Sequence, residues 1–456
     1  MESIASGKRA LVVGLGVSGM ASLRFLRARG VQVVVGDQRS EAEPGARAQE
    51  ALALGALPAF AEPLASRFDE VDFVVVSPGV PPLPELLAAR DRGLPLLGDI
   101  DLAMPFLHGT RVGITGTNGK STVTSLVGEM CKATGRPTFV GGNLGRPLVE
   151  AVGSEAAEAS GFVVAELSSF QLSWQANWHG HVAVLLNLGD DHLDWHGSKA
   201  AYAAAKGRIF QKQGAGDFAI YPLGDPICAP LAELSPGRKI RFGAQGAEVS
   251  LEGGRLRSSL ASLDLPLEEI ALRGAHNHLN ACAAAATALA LGIDVAQITQ
   301  VLRSFSGLPH RMNYVGKRRG LHFFDDSKAT NVAAAVAAID GLDLEAGAKI
   351  VLLAGGRHKG GSFAPLRHAL EGRGRALVLF GECKEEIAAA FAGSELSVAE
   401  ATSIEEAVLR AAELAQPGDR VLLAPATASW DMFRSYVERG ERFQAAVRQL
   451  AEEGER

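Results

Sequence analysis

The feature that most limits what this 456-residue chain can fold into is an alternation of short, wholly apolar runs with helix-length segments, which starts afresh three times. Runs of this kind read as strands covered on both faces, and that demands a mostly parallel sheet with helices packed on either side. The first set is "RALVVG", the helical "VSGMASLRFLRARG", then "VQVVVGD" and "DFVVVSPGV". The second comprises "RVGIT", "KSTVTSLVGEMCKATG", "GFVVAEL", "HVAVLLN" and "SKAAYAAAKGRIF". Residues 222–275 then turn irregular and rich in Gly and Ser, a β-type excursion, before helices near 277–291 and 294–304. The third set follows "SGLPHRMN" and contains "LHFFDDSKATN", "AKIVLLAGG", "RALVLFG" and "DRVLLAPATAS". Ser403 and Glu406 are spaced as a capping box for one of its helices. An α/β protein of three domains is expected, at 1–98, 99–307 and 308–456: a Rossmann-like first domain, a central domain with a mostly parallel sheet, and a doubly wound last one.

Charge and composition exclude several classes of function. A net charge of -6 offers no electrostatic footprint for nucleic acid, and no polybasic run favours a membrane surface. The longest small-apolar run, at 281–292, is far shorter than the roughly 20 residues that span a bilayer. The start, "MESIASGKRALVVG", runs straight into a strand pattern with no signal or transit peptide visible. Cys131, Cys228, Cys282 and Cys383 are widely separated, without spacing for zinc or a disulfide framework. A cytoplasmic monomer with reduced thiols is the expectation.

Two glycine-rich turns carry chemistry. "GLGVSG" at 14–19 matches G-x-G-x-x-G between strand and helix, with Asp37 ending the next strand where a ribose-binding acid would sit. Alone this turn leaves open a structural role, a nicotinamide site or another nucleotide. "GITGTNGKST" at 113–122 departs from the Walker A spelling because Ile114 stands five places before Gly119. It still ends in Gly119-Lys120-Ser121-Thr122 between a strand and a helix. Backbone N–H groups of such a turn point at phosphate oxygens, the lysine neutralises them, and the hydroxyl can ligate Mg²⁺.

The run Thr115-Gly116-Thr117-Asn118-Gly119-Lys120-Ser121 resembles the T-G-T-[NK]-G-K-[ST] loop of the ATP-dependent Mur ligases and their folylpolyglutamate synthetase relatives. The resemblance extends over the whole chain and implies a central P-loop ATPase domain between a UDP-sugar domain and an amino-acid domain. It points to the glutamate-adding branch, in which D-glutamate is joined to UDP-N-acetylmuramoyl-L-alanine. For ATP it implies Gly116, Thr117, Asn118, Gly119, Lys120, Ser121, Thr122, Asn277, Asn280, Arg311 and Asp326. For the UDP-sugar it implies Leu15, Gly16, Val17, Asp37, Arg39, Ser77, Gly79, Asn143, Gln171 and His192. Glu166 in "AELSSFQLS", His192 and Ser121 fall at metal positions, and Lys206 falls where the family carries a carbamylated lysine that serves a second Mg²⁺. Lys120, His192, Lys206 and Arg311 are the implied catalytic set. The glutamate contacts map onto Thr330, Lys359, Ser429 and Tyr436, with Asp326 and Lys328 in "DDSKATN" and His310 before Arg311. Ala424, Thr427, Trp430 and Tyr436 depart from the family's common spelling around that pocket.

The implied chemistry explains the residue types. A carboxylate that attacks the γ-phosphate of ATP brings two anions together, and Mg²⁺ with Lys120 and Arg311 offsets the repulsion. Lys206 by itself would read as an exposed helix lysine. His179, His181, His192, Asp190, Asp191, Asp194 and His196 crowd one stretch, but their spacing fits no standard zinc motif. Rival readings are a related ligase adding L-glutamate or another amino acid, or acting on folate; a nicotinamide-dependent dehydrogenase built on 1–98; and a nucleotide-gated binding protein. The dehydrogenase leaves Lys120, Glu166 and Lys206 without a role.

Overall fold

A computed structural model describes residues 6–36, 46–60, 63–358 and 362–450. Among them the strands form three sheets. The first contains β1 (Arg9–Val13), β2 (Gln32–Gly36), β3 (Leu57–Pro58), β4 (Phe73–Val76) and β5 (Leu96–Leu97). Their order is β3-β2-β1-β4-β5 and every pairing is parallel, as in a Rossmann half. β1, β2 and β4 are the apolar runs of the sequence. β3 and β5 are two-residue edge strands, too short for periodicity to reveal.

The second sheet is built from β6 (Thr110–Thr115), β7 (Thr138–Gly142), β8 (Phe162–Glu166), β9 (Val182–Leu185), β10 (Phe218–Pro222), β11 (Arg238–Gly243), β12 (Val249–Glu252), β13 (Arg255–Ser258) and β14 (Asp264–Pro266). Its order is β14-β13-β12-β11-β10-β9-β6-β8-β7. The Gly/Ser-rich excursion supplies β11 to β14, and its last two pairings are antiparallel hairpin pairings. The β6 strand lies between β8 and β9, which places the segments leaving these three strands side by side.

The third sheet holds β15 (Asn313–Arg318), β16 (Leu321–Asp325), β17 (Ile350–Gly355), β18 (Gly374–Phe380), β19 (Ser397–Glu400) and β20 (Arg420–Leu423). Its order is β15-β16-β20-β17-β18-β19, parallel except for the β15/β16 hairpin. Helices Ile404–Leu414 and Tyr436–Gln449 contribute to the core on one face, and helices Val332–Asp340, Ala364–Leu370 and Lys384–Ala390 to the other. The expected capping box at Ser403 forms by half. Ser403 Oγ accepts from the Glu406 N–H at 3.1 Å, but the Glu406 carboxylate turns to the N–H and hydroxyl of Thr402, both at 2.7 Å.

The chain falls into two compact units. One comprises Met1–Leu188, Ala200–Ile270 and Leu279–Ser304, so the first two sheets share it, with a continuous core that joins Val12 and Leu26 to Val163 and Trp178. The other comprises Gly189–Lys199, Ala271–His278 and Phe305–Arg456 and carries the third sheet. No helix among the described residues is long and apolar enough to cross a membrane.

Candidate active site

The glycine loop at 116–119 connects β6 to the helix Lys120–Ala133 and is clamped by its neighbours in the sheet. The Thr117 N–H donates to the Asn187 carbonyl at 3.0 Å, and the Asn118 N–H donates to Asn187 Oδ1 at 2.9 Å. Asn187 Nδ2 returns a bond to the Asn118 carbonyl at 3.1 Å, and the hydroxyls of Thr117 and Tyr202 lie 3.1 Å apart. Gly119 has φ 83°, and a Cβ there would lie 2.3 Å from Asn280 Oδ1. Only glycine lets the chain turn there with Asn280 against it. Lys120 Nζ donates to the carbonyls of Gly116 at 2.9 Å and Thr117 at 2.7 Å, so its ammonium lies over the loop. Ser121 and Thr122, in the first helical turn, are buried.

Glu166 ends β8 in register with Ile114 of β6 and Gly142 of β7. Asn143 Nδ2 donates to its Oε1 at 2.6 Å, and the Asn143 N–H to its carbonyl at 2.9 Å. Lys206 does not lie on the exposed helix face that "AAKG" alone would suggest. It is 1% exposed, and its Nζ donates to the Gly116 carbonyl at 2.8 Å and Thr115 Oγ1 at 3.4 Å, above the Tyr202 ring at 4.8 Å.

A cavity of about 600 Å³ opens in the same unit, lined among others by Gly16, Val17, Ser77, Gly79, Asn143 and Gln171. Leu15 sits instead in the hydrophobic core. Gly19 permits the helix to approach β1, because a Cβ there would meet the Gly14 carbonyl at 1.9 Å. The Gln171 side chain is nearly inaccessible and closes a reciprocal cap with Ser168: Gln171 N–H to Ser168 Oγ at 3.1 Å, Ser168 N–H to Gln171 Oε1 at 3.1 Å. Asp37, Arg39 and Lys359 lie outside the described residues.

The second unit carries the other expected positions. His192 has φ 53° and precedes the helix Leu193–His196; its N–H donates to Asp191 Oδ1 at 3.0 Å. Asp191 Oδ2 in turn accepts from Asn331 Nδ2 at 3.1 Å. Asn277 Nδ2 donates to the Arg273 carbonyl at 2.9 Å, whereas Asn280 belongs to the first unit. The Arg311 N–H donates to Asn313 Oδ1 at 3.2 Å. Burial pushes the Asp326 carboxyl up to about 7 against the opposing pull of Arg311. His310 Nδ1 lies 2.7 Å from Asp325 Oδ2, and that bond raises its pKa despite burial. Thr330, Ser429 and Tyr436 are carried by the segments that follow β16 and β20, with Lys328 Nζ 3.9 Å over the Tyr436 ring. Arg439, fully buried, reaches the carbonyls of Ser327 at 2.8 Å and Thr427 at 3.3 Å, tying those segments together.

Sequence reasoning missed Asn187, Tyr202 and Arg439. Only Asn187 had a local signal, an amide directly after the apolar run "HVAVLL". The histidine-rich stretch divides: His179 lies 2.8 Å from Asp217 and 3.1 Å from the Arg111 guanidinium, while His181 accepts from the Arg111 N–H at 3.0 Å. Burial and Arg111 push His181 down to about 4, so it is neutral. Among the described residues no three His, Cys, Asp or Glu side chains gather around one point.

Three family models match the chain: the Mur ligase MurD-like N-terminal domain over residues 8–98, the Mur ligase middle domain over 114–288, and the Mur ligase glutamate ligase domain over 310–427. It is 41% identical to the UDP-N-acetylmuramoylalanine--D-glutamate ligase of Desulfosudis oleivorans, with 98% of this chain and 97% of the relative covered. It is 42% identical to that of Geobacter metallireducens, with 98% of each covered. The fold matches the solved UDP-N-acetylmuramate-alanine ligase MurC of Thermotoga maritima at a TM-score of 0.62 and 19% identity, over 97% of this chain and 99% of that one. It matches the MurF ligase of the same organism in complex with ADP at 0.60 and 18% identity, over 99% and 97%. Matches of this length and identity show that the chain belongs to the Mur ligase family, on its MurD-like branch.

Proposed function

We propose that this protein is an ATP-dependent ligase that joins D-glutamate to UDP-N-acetylmuramoyl-L-alanine in peptidoglycan precursor synthesis. The observation that carries the reading is local: Asn143, which lines the cavity, bonds to Glu166, whose strand lies beside the one leading into the phosphate loop. A sugar nucleotide in the cavity and a triphosphate on the loop would then meet across Glu166. The residues present fit magnesium, since Ser121 and Glu166 offer hard oxygen donors beside the loop. Bound there, with the carbamate of Lys206 as a further oxygen donor, Mg²⁺ would offset the charge of the phosphates.

The protein's own groups set the reaction up. Backbone N–H groups of the loop and the Lys120 ammonium hold the β and γ phosphates, and Lys120 exchanges the Gly116 and Thr117 carbonyls for phosphate oxygen. Asn143 and Gln171 orient the sugar nucleotide so that an alanyl carboxylate oxygen attacks the γ-phosphorus in line and ADP departs. The glutamate amine, freed of its proton, then attacks the acyl carbon, and inorganic phosphate leaves with its electron pair. Thr330, Lys359, Ser429 and Tyr436 hold the glutamate, and Arg311 and Asp326 contact the nucleotide. The work is done by the monomer in the cytoplasm, with residues 1–98, 99–307 and 308–456 bearing the sugar nucleotide, ATP and glutamate respectively.

Omission assays test this reading. ADP release is expected only with UDP-N-acetylmuramoyl-L-alanine, D-glutamate and Mg²⁺ together; equal release without glutamate, or equal use of L-glutamate, would contradict it.

A further inference from the structure

The helix Asp99–Ala103 carries two buried carboxylates with different partners. Asp101 accepts from three main-chain N–H groups, Gly98 at 2.9 Å, Ala176 at 3.0 Å and Asn177 at 2.8 Å, and from the Asn177 side chain, none of which lines the cavity. Asp99 is 1% exposed and accepts from the Ile100 N–H at 3.1 Å, but its other partners are side chains. Gln171 Nε2 donates to its Oδ2 at 3.1 Å, and the Ser18 hydroxyl is a second side-chain donor. Both of these side chains line the cavity, Ser18 from the first turn of the helix Val17–Arg27 and Gln171 from the helix Ser169–Trp174. Asp101 fastens its helix to the segment 176–177. Asp99 fastens the two walls of the cavity to each other.

We propose that Asp99 is a positioning residue for the sugar-nucleotide pocket, fixing the Gln171 carboxamide so that it presents an N–H donor and selects a ligand oxygen that accepts. The inference rests on the reading of Gln171 as a sugar-nucleotide contact. Its logic is one of donors and acceptors. The Ser168 N–H can only donate, so the amide end that faces it is the Gln171 oxygen, and the end that faces Asp99 is the nitrogen. The Gln171 oxygen is held by the Ser168 N–H at 3.1 Å and the Ser168 hydroxyl at 3.2 Å. Ser168 thus holds the oxygen end of the amide and Asp99 the nitrogen end. One Nε2 hydrogen goes to Asp99, and on this proposal the second is the one a ligand in the cavity takes. Burial pushes the Asp99 carboxyl up, a cost that the Gln171, Ser18 and Ile100 donors offset in part. An Asn at this position would bring donors of its own against Gln171 Nε2, and the nitrogen end of the amide would lose its hold.

The test compares D99N, D101N, Q171A and the D99N/Q171A double variant of the full chain by KM for each substrate, kcat and thermal stability. D99N is expected to raise KM for UDP-N-acetylmuramoyl-L-alanine about tenfold, the scale of one charge-assisted bond. Its kcat and its KM for ATP should stay within about twofold of wild type. D101N should lower the unfolding temperature without moving any KM. Added to Q171A, D99N should raise KM no further, because both changes remove one linked interaction. An unmoved KM in D99N, or an equal rise on the Q171A background, would overturn the proposal. Should D99N fail to fold, Q171E serves instead: it sets two acceptors face to face and is expected to raise the same KM at least about tenfold, and a wild-type KM would overturn the proposal. A wild-type chain that does not bind UDP-N-acetylmuramoyl-L-alanine would overturn the functional reading along with this one. Normal wild-type binding with an unmoved D99N counts against Asp99 alone.

Discussion

The Asn187 carboxamide meets the Asn118 backbone twice, accepting from its N–H at 2.9 Å and donating to its carbonyl at 3.1 Å. The phosphate loop is therefore shaped by an amide 69 residues away in sequence, delivered by the strand next to β6. Asn187→Ala is expected to lower kcat/KM for ATP by about 100-fold, since a loop displaced by about 1 Å loses its aim at the phosphates. Asn187→Asp should do worse, because it loses the donor and brings negative charge to an anion site. Steady-state kinetics decide it, and a wild-type kcat/KM in the Ala variant would show that the clamp is dispensable.

Gly119→Ala combines a left-handed backbone at φ 83° with a Cβ placed 2.3 Å from Asn280 Oδ1. The backbone alone costs roughly 1 kcal/mol, and the overlap adds to it, so a loss of about 2 kcal/mol or more is expected. Nucleotide binding should weaken together with stability. Urea unfolding with and without ATP measures both, and an undiminished stability would refute the close packing of Asn280 on the loop.

Asp326 sets a pH dependence. Its folded pKa is raised to about 7 from the ordinary aspartate value of 3.8, so between these limits the folded chain holds a proton that the unfolded chain has released. The contribution of this group to stability therefore falls as pH rises through that window and is lowest above about 7, by on the order of 1.4 kcal/mol for each pH unit. Asp326→Asn should flatten the stability profile between about pH 4 and 7 relative to wild type. Parallel profiles by chemical denaturation would contradict the assignment.

Lys206 is held against the Gly116 carbonyl, under the phosphate loop, and burial removes the water that would solvate a charged amine. If it works as a carbamate, Lys206→Ala should lose turnover by a few orders of magnitude, and acetate should restore part of it. The wild-type rate should also rise on adding bicarbonate to carbon dioxide-depleted enzyme. Absence of both responses would rule the carbamate out.

What the sequence discloses is what local pattern can encode. Apolar runs disclosed β1, β2, β4, β6, β8, β9, β16, β17, β18 and β20, because a strand covered on both faces must be apolar throughout. Two-residue edge strands such as Leu57–Pro58 carry no period and stay hidden. The glycine loop was legible since its conformation needs particular residues at fixed offsets. Its clamp was not: Asn187 and Tyr202 lie 69 and 85 residues from their partners in the loop. Lys206 was placed in the site by the resemblance and not by its local pattern. Flanked by small residues on a short helix it reads as surface, and only the packing of that helix beneath the loop buries it. Asp99 and Gln171, 72 residues apart, meet only when the first two sheets pack into one body.

The central claim is that an alanyl carboxylate oxygen attacks the terminal phosphorus of ATP held by the loop around Lys120. Turnover of UDP-N-acetylmuramoyl-L-alanine labelled with oxygen-18 in that carboxylate, followed by mass analysis of the phosphate released, tests it most directly. The account predicts that one labelled oxygen passes to inorganic phosphate for each amide formed. Unlabelled phosphate, with the amide still being made, would contradict it.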